Sequence, residues 1–222
     1  LCHRASMNPS PIHEALGAVR HLREALIEKQ RFTGYSGPVR MTTGVFALVG
    51  AFILGSRDFP VNLRSHLIGW GVVFLLSSLA NLGAIAHWFL NEPRVRKHPR
   101  RLKPVLDFFP PLIVGAVLTA LFVSQRQFDA LFGTWMCMFG LTNLATRYVL
   151  PPGMILVGLF YISAGVFCLF SPSVVFTVPW PMGLVFFTGE MAGGAILYLD
   201  RRRYASFEHY ALPPEEDHEN PS

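Results

Sequence analysis

Glu190 is the residue best placed to do chemistry in this chain, because it is the only charged side chain in the apolar run 179–199. An ionised carboxylate is costly in hydrocarbon, so a carboxyl there must be neutral, paired or hydrated. The chain turns back near residue 175, and Tyr161 precedes that turn by about as much as Glu190 follows it. The two should share a depth, with Ser163 close behind Tyr161. Asn81 and Asn143 reach comparable depths in their own apolar segments. Glu190, Tyr161, Asn81 and Asn143 therefore form a candidate intramembrane polar site, with Glu190 expected to be protonated and held by a hydroxyl or an amide. Such a cluster supports either plain packing hydrogen bonds or an ion or proton site.

Asp107 and Arg147 are each 20 residues from Gln127, which lies in the turn between two apolar segments. By the same hairpin logic they are expected to meet as an interfacial ion pair that orients the hairpin, with unpaired snorkelling of Arg147 as the blander alternative. His66 and His87 invite a haem reading. They lie 21 residues apart on one helix, roughly 30 Å at the helical rise, so one iron could not take both. Each is read as an interfacial residue. Cys2, Cys137 and Cys168 make no CxxC pair, and no HExxH, GxSxG or GxxxxGK[ST] occurs. No catalytic residue, cofactor or metal is expected, and the chain reads as a non-enzyme.

The elements that must position these residues are six apolar stretches at 41–56, 66–90, 105–124, 128–149, 153–170 and 179–199. A bilayer core takes about 20 apolar residues per helix. The 51% hydrophobic content and the mean hydropathy of +0.38 would expose large apolar patches in water. The expected fold is all-α: a polytopic bundle of six transmembrane helices over 41–200, arranged as three hairpins. Short likenesses among Ala80-Asn81-Leu82-Gly83, Leu141-Thr142-Asn143-Leu144 and Gly189-Glu190-Met191-Ala192 suggest hairpin repeats. Pro110-Pro111 are expected to kink the third helix.

Charge sets the orientation. Of 19 lysines and arginines, only Arg57, Arg64 and Arg126 fall in the links on one side. The rest, Arg40 among them, fall on the side that should be cytoplasmic, which places both termini inside. The net charge of +5 then points to anionic headgroups rather than nucleic acid. Gly189 and Gly193, spaced by four, read as close helix packing, with a ligand groove as the alternative.

Outside the membrane part, Ser10-Pro11 opens an amphipathic helix over 11–33 with Ile12, Leu16, Val19, Leu22 and Leu26 on one face. It lies on the cytoplasmic membrane surface or pairs with a copy of itself. Residues 1–10 read as a disordered extension in which Met7 is the natural start, and the acidic tail 204–222 reads as disordered.

The motifs Arg31-Phe32-Thr33-Gly34-Tyr35-Ser36-Gly37 running into Gly44-Val45-Phe46-Ala47-Leu48-Val49-Gly50, Pro110-Pro111-Leu112, and Gly133-Thr134-Trp135 through Gly140 resemble a family of six-helix bacterial integral membrane proteins. The resemblance covers about residues 12–200. It implies a bacterial inner-membrane location and, since no activity is established for that family, no chemistry. The family pattern places a histidine in the last helix where this chain has Glu190. The expected role is that of a structural or accessory subunit, with a membrane-protein partner or a second copy. The alternative is a small transporter or proton-linked permease using Glu190, Asn81 and Asn143.

Overall fold

The computed structural model describes residues 35–91 and 106–211, with side chains described as far as Arg203. The expectations for residues 1–10, the amphipathic helix 11–33 and the end of the tail, 212–222, lie outside the described residues. Those residues form six helices and no strand: α1 (Gly37–Leu54), α2 (Leu63–Asn91), α3 (Phe109–Ser124), α4 (Ala130–Ala145), α5 (Met154–Phe170) and α6 (Trp180–Ala211). α1, α2 and the Trp180–Arg203 part of α6 are long and apolar enough to cross a membrane, whereas α3, α4 and α5 have 16 or 17 residues. Large apolar side chains such as Phe52, Phe74, Ile113 and Phe167 are exposed, which suits hydrocarbon and not water.

Two helix starts differ from the sequence expectation, both for a backbone reason. α1 begins at Gly37 rather than 41, because Ser36 is extended (φ −93°, ψ 120°) and Pro38 stands in the first turn. There a missing N–H breaks no helical hydrogen bond and the ring's fixed φ is already helical. Pro110 and Pro111 likewise stand in the first turn of α3. Leu106 and Asp107 ahead of them are helical too, and the helical path is interrupted at Phe108, just before the prolines. α6 is a continuous helix to Ala211 and so runs past the apolar segment into the stretch read as tail.

The closest packing in space does not follow the expected three hairpins, α1–α2, α3–α4 and α5–α6. The most extensive packing is of α1 against α6 and of α4 against α5; α2 rests on α1, α3 on α4, and α5 touches α6 less. Small residues seven apart make the two close pairings. A Cβ added at Gly133 would come within 2.6 Å of the Gly165 carbonyl oxygen, and one at Gly140 within 2.7 Å of the Gly158 carbonyl oxygen. In α1 and α6, a Cβ at Gly37 would sit 2.6 Å from the Gly194 carbonyl oxygen and one at Gly44 3.0 Å from Glu190 Cβ. Without a hydrophobic drive between helices in lipid, such close backbone approach is what van der Waals packing requires.

Near the Leu54 end of the bundle, α1, α2, α4 and α5 bury Leu54, Trp70, Phe132, Met136 and Phe176; nearer the Gly37 end a second cluster holds Met154, Val157, Tyr161 and Leu197. Gly165→Ala should destabilise the α4–α5 pair by about 1–3 kcal/mol, the range for overpacking a filled core. Gly83→Ala, where a Cβ meets nothing within 4 Å, should be neutral or gain up to about 1 kcal/mol from helix propensity. Thermal denaturation in detergent distinguishes the two.

Candidate functional site

Four helices bring their polar side chains to one place. Starting α1 at Gly37 puts Arg40 one turn inside the helix, on the side facing α4 and α6. Arg40 Nη2 donates to Glu190 Oε1 and to Asn143 Oδ1, both at 2.9 Å. Tyr161 donates its hydroxyl to the same Glu190 oxygen at 2.9 Å. Thr43 Oγ1 lies 3.2 Å from Glu190 Oε2 and 2.7 Å from the Arg40 carbonyl oxygen, with one proton to share between them. The Asn143 amide nitrogen donates to the Phe139 carbonyl at 2.8 Å. The Phe139 ring centroid lies 6.0 Å from the Arg40 guanidinium carbon. That distance is at the edge of cation–π range.

Burial makes these contacts matter. The Glu190 and Arg40 side chains are only 5% and 11% exposed, and Tyr161 is fully buried. A lone charge there would be costly, but a guanidinium and a carboxylate in contact cancel one another's net charge and supply one another's hydrogen bonds. Arg40 Nε is buried with no hydrogen-bond partner among the described residues. Tyr35, just ahead of α1, has its phenol pushed up to about 12 by burial, offset in part by the Arg40 charge.

The glycines flanking Glu190 make the arrangement fit. A Cβ at Gly193 would come 2.6 Å from Arg40 Nε, and one at Gly189 2.6 Å from the Tyr161 hydroxyl oxygen. The spacing of four that sequence reads as helix packing thus leaves room on α6 for the two side chains that grip Glu190.

Sequence reasoning brought Glu190, Tyr161 and Asn143 to the same depth, and the structure places all three in this cluster. It departs from the expectation of a Glu190 held by uncharged groups alone, because Arg40 donates to it at the same 2.9 Å as Tyr161. Arg40 was assigned to the cytoplasmic basic face because the apolar run starts after it; the Ser36-Gly37-Pro38 helix start was the signal that could have moved it. Asn81 stands apart, half-exposed, donating to the Ser77 carbonyl at 2.9 Å on its own helix. Asp107 is exposed and makes no ion pair with Arg147. Arg147 instead stacks on the adjacent Tyr148 ring at 4.6 Å and donates to its hydroxyl. Both are at helix ends where nothing excludes water, so little electrostatic attraction is left to hold the two together.

His87 is exposed as expected, 3.0 Å from the Asn91 amide. His66 stands near the start of α2 and is fully buried within the protein, its Nδ1 3.1 Å from the Asn62 carbonyl oxygen and its ring edge-on to Phe59. Among the described residues no group of three His, Cys, Asp or Glu side chains could hold a metal ion. Comparison with family models, with curated proteins and with solved structures finds no match.

Glu190→Gln and Arg40→Met should each destabilise the protein by about 3–5 kcal/mol, since each strands a buried charge. The double variant Arg40→Met/Glu190→Gln should recover most of that loss in a double-mutant cycle. Two losses that simply add would mean that the pair is not coupled.

Proposed function

We propose that this chain is a non-enzymatic, six-helix integral membrane protein of a bacterial inner membrane, with both termini cytoplasmic, acting as a structural or accessory subunit. The observation that carries the reading is that the polar side chains of the cluster are engaged with one another. The charge on Glu190 is taken up by Arg40 and Tyr161, and Asn143 in turn accepts from Arg40, so that three other helices are tied to the carboxylate directly or through the guanidinium, and α6 runs through this level without a break. Side chains so engaged with one another lock helices together. Transporters of the broken-helix type instead turn unwound backbone and half-helix ends toward a substrate.

In this reading α3, α4 and α5 also cross the bilayer, extended by flanking apolar residues such as Val149, Leu150 and Val174 and by local thinning of the lipid. The exposed Arg201 and Arg203 at the membrane end of α6 meet anionic headgroups. The runner-up is a proton-linked permease working through Glu190 and Asn143. It draws on the fact that charged groups at membrane depth are commonly functional.

Cysteine labels introduced at 57–64 and 171–177 should react from the periplasm, and labels at 94–103 only after the membrane is opened; the reverse pattern would overturn the orientation. Gentle purification from native membranes should yield a stoichiometric companion. Protein-dependent proton flux into reconstituted vesicles that disappears in Arg40→Met/Glu190→Gln would replace the accessory reading with the permease.

A further inference from the structure

The second helix is the least buried of the three long ones. Of its 29 residues only His66, Trp70 and Ile85 are buried, and its extensive contact is with α1 alone. Lipid covers an apolar face at no cost, but α2 also carries an amide at depth. Val73 lies against Gly50 and Leu54 against Gly69, so α1 and α2 run antiparallel in a register that puts Asn81 opposite Thr42. Gly37 meets Gly194, and Gly183 meets Ala51, which puts Thr42 at the level of Glu190. Asn81 is thus as deep as the ion pair, yet it is half-exposed on the outside of the four-helix core.

Its hydrogen bonding is half used. One Nδ2 hydrogen goes to the Ser77 carbonyl. The other hydrogen and Oδ1 have no partner among the described residues. Phe74, seven residues earlier and therefore on the same face, is exposed.

We propose that this face of α2 is the contact between two copies of the chain, with the two Asn81 amides paired across a two-fold axis along the bilayer normal. An acyl chain offers neither donor nor acceptor, and headgroups do not reach this depth. A second copy offers both, and the symmetry itself sets its Asn81 at the matching height. Each amide gives its free hydrogen to the other's Oδ1, so both are satisfied while the bonds to Ser77 remain. Asparagine pairs of this kind hold membrane helices together. The inference rests on α2 crossing the bilayer and not on the accessory role.

In native membranes, Phe74→Cys should cross-link into a dimer on mild oxidation. Leu79→Cys, on the opposite side of α2, should stay at the background set by the chain's own cysteines. Energy transfer between differently labelled copies should show association in the parent protein and about tenfold weaker association in Asn81→Leu, the size expected for one interhelical amide pair. A monomeric parent, equal cross-linking at 74 and 79, or unchanged association in Asn81→Leu would each overturn the proposal. Should Asn81→Leu fold poorly, the contrast between positions 74 and 79 decides alone. Labels at Leu63 and Asn91 that react from the same side of the membrane would instead refute the crossing of α2.

Discussion

A charged carboxyl inside an apolar bundle constrains everything around it. Hydrocarbon provides no counter-charge, so the protein must bring one to the same depth and must fill the remaining hydrogen-bonding positions itself. Here that constraint falls on Glu190. It is met by Arg40 from the first described helix and Tyr161 from the fifth, with Asn143 from the fourth holding Arg40. The first and last helices, far apart in the chain, are thereby held as neighbours. In the packing order, α1 lies on α6 and α4 on α5, with α2 and α3 outside.

The small residues serve the same end. Gly37, Gly44 and Gly194 let α1 and α6 approach until Arg40 can reach across, while Gly189 and Gly193 clear the space its guanidinium and the Tyr161 ring occupy. A bulkier residue at either of the last two positions would force the ion pair apart or the helices out of contact. Between α1 and α6, close packing and the polar cluster therefore depend on the same glycines.

Much of this was legible in the sequence. Apolar run lengths give six helices, and counting outward from the turn near residue 175 correctly puts Tyr161 level with Glu190. The main packing pairs, α1 on α6 and α4 on α5, were not legible: sequence suggests three hairpins, because loop length constrains only which helices adjoin in the chain. Arg40 was hidden by a hydropathy boundary: apolar runs mark where the side chains become apolar, whereas Ser36 and Pro38 mark where the helix begins. The Asp107–Arg147 reading shows the opposite error. Equal spacing from a turn can bring two charges level, but at exposed helix ends water competes for both, and Arg147 takes the nearer Tyr148. The deep burial of His66 left no trace in its local sequence, since it depends on what the rest of the fold lays over α2.

The central claim is that the interior holds a charge pair and not a neutral acid. Infrared difference spectroscopy between the parent protein and Glu190→Gln, in lipid at neutral pH, tests it most directly. An ionised Glu190 bound to Arg40 predicts that the substitution removes carboxylate stretching bands and leaves the protonated-acid carbonyl region unchanged. Loss of a protonated-acid carbonyl band would contradict the account and return Glu190 to the role of a neutral hydrogen-bonding group.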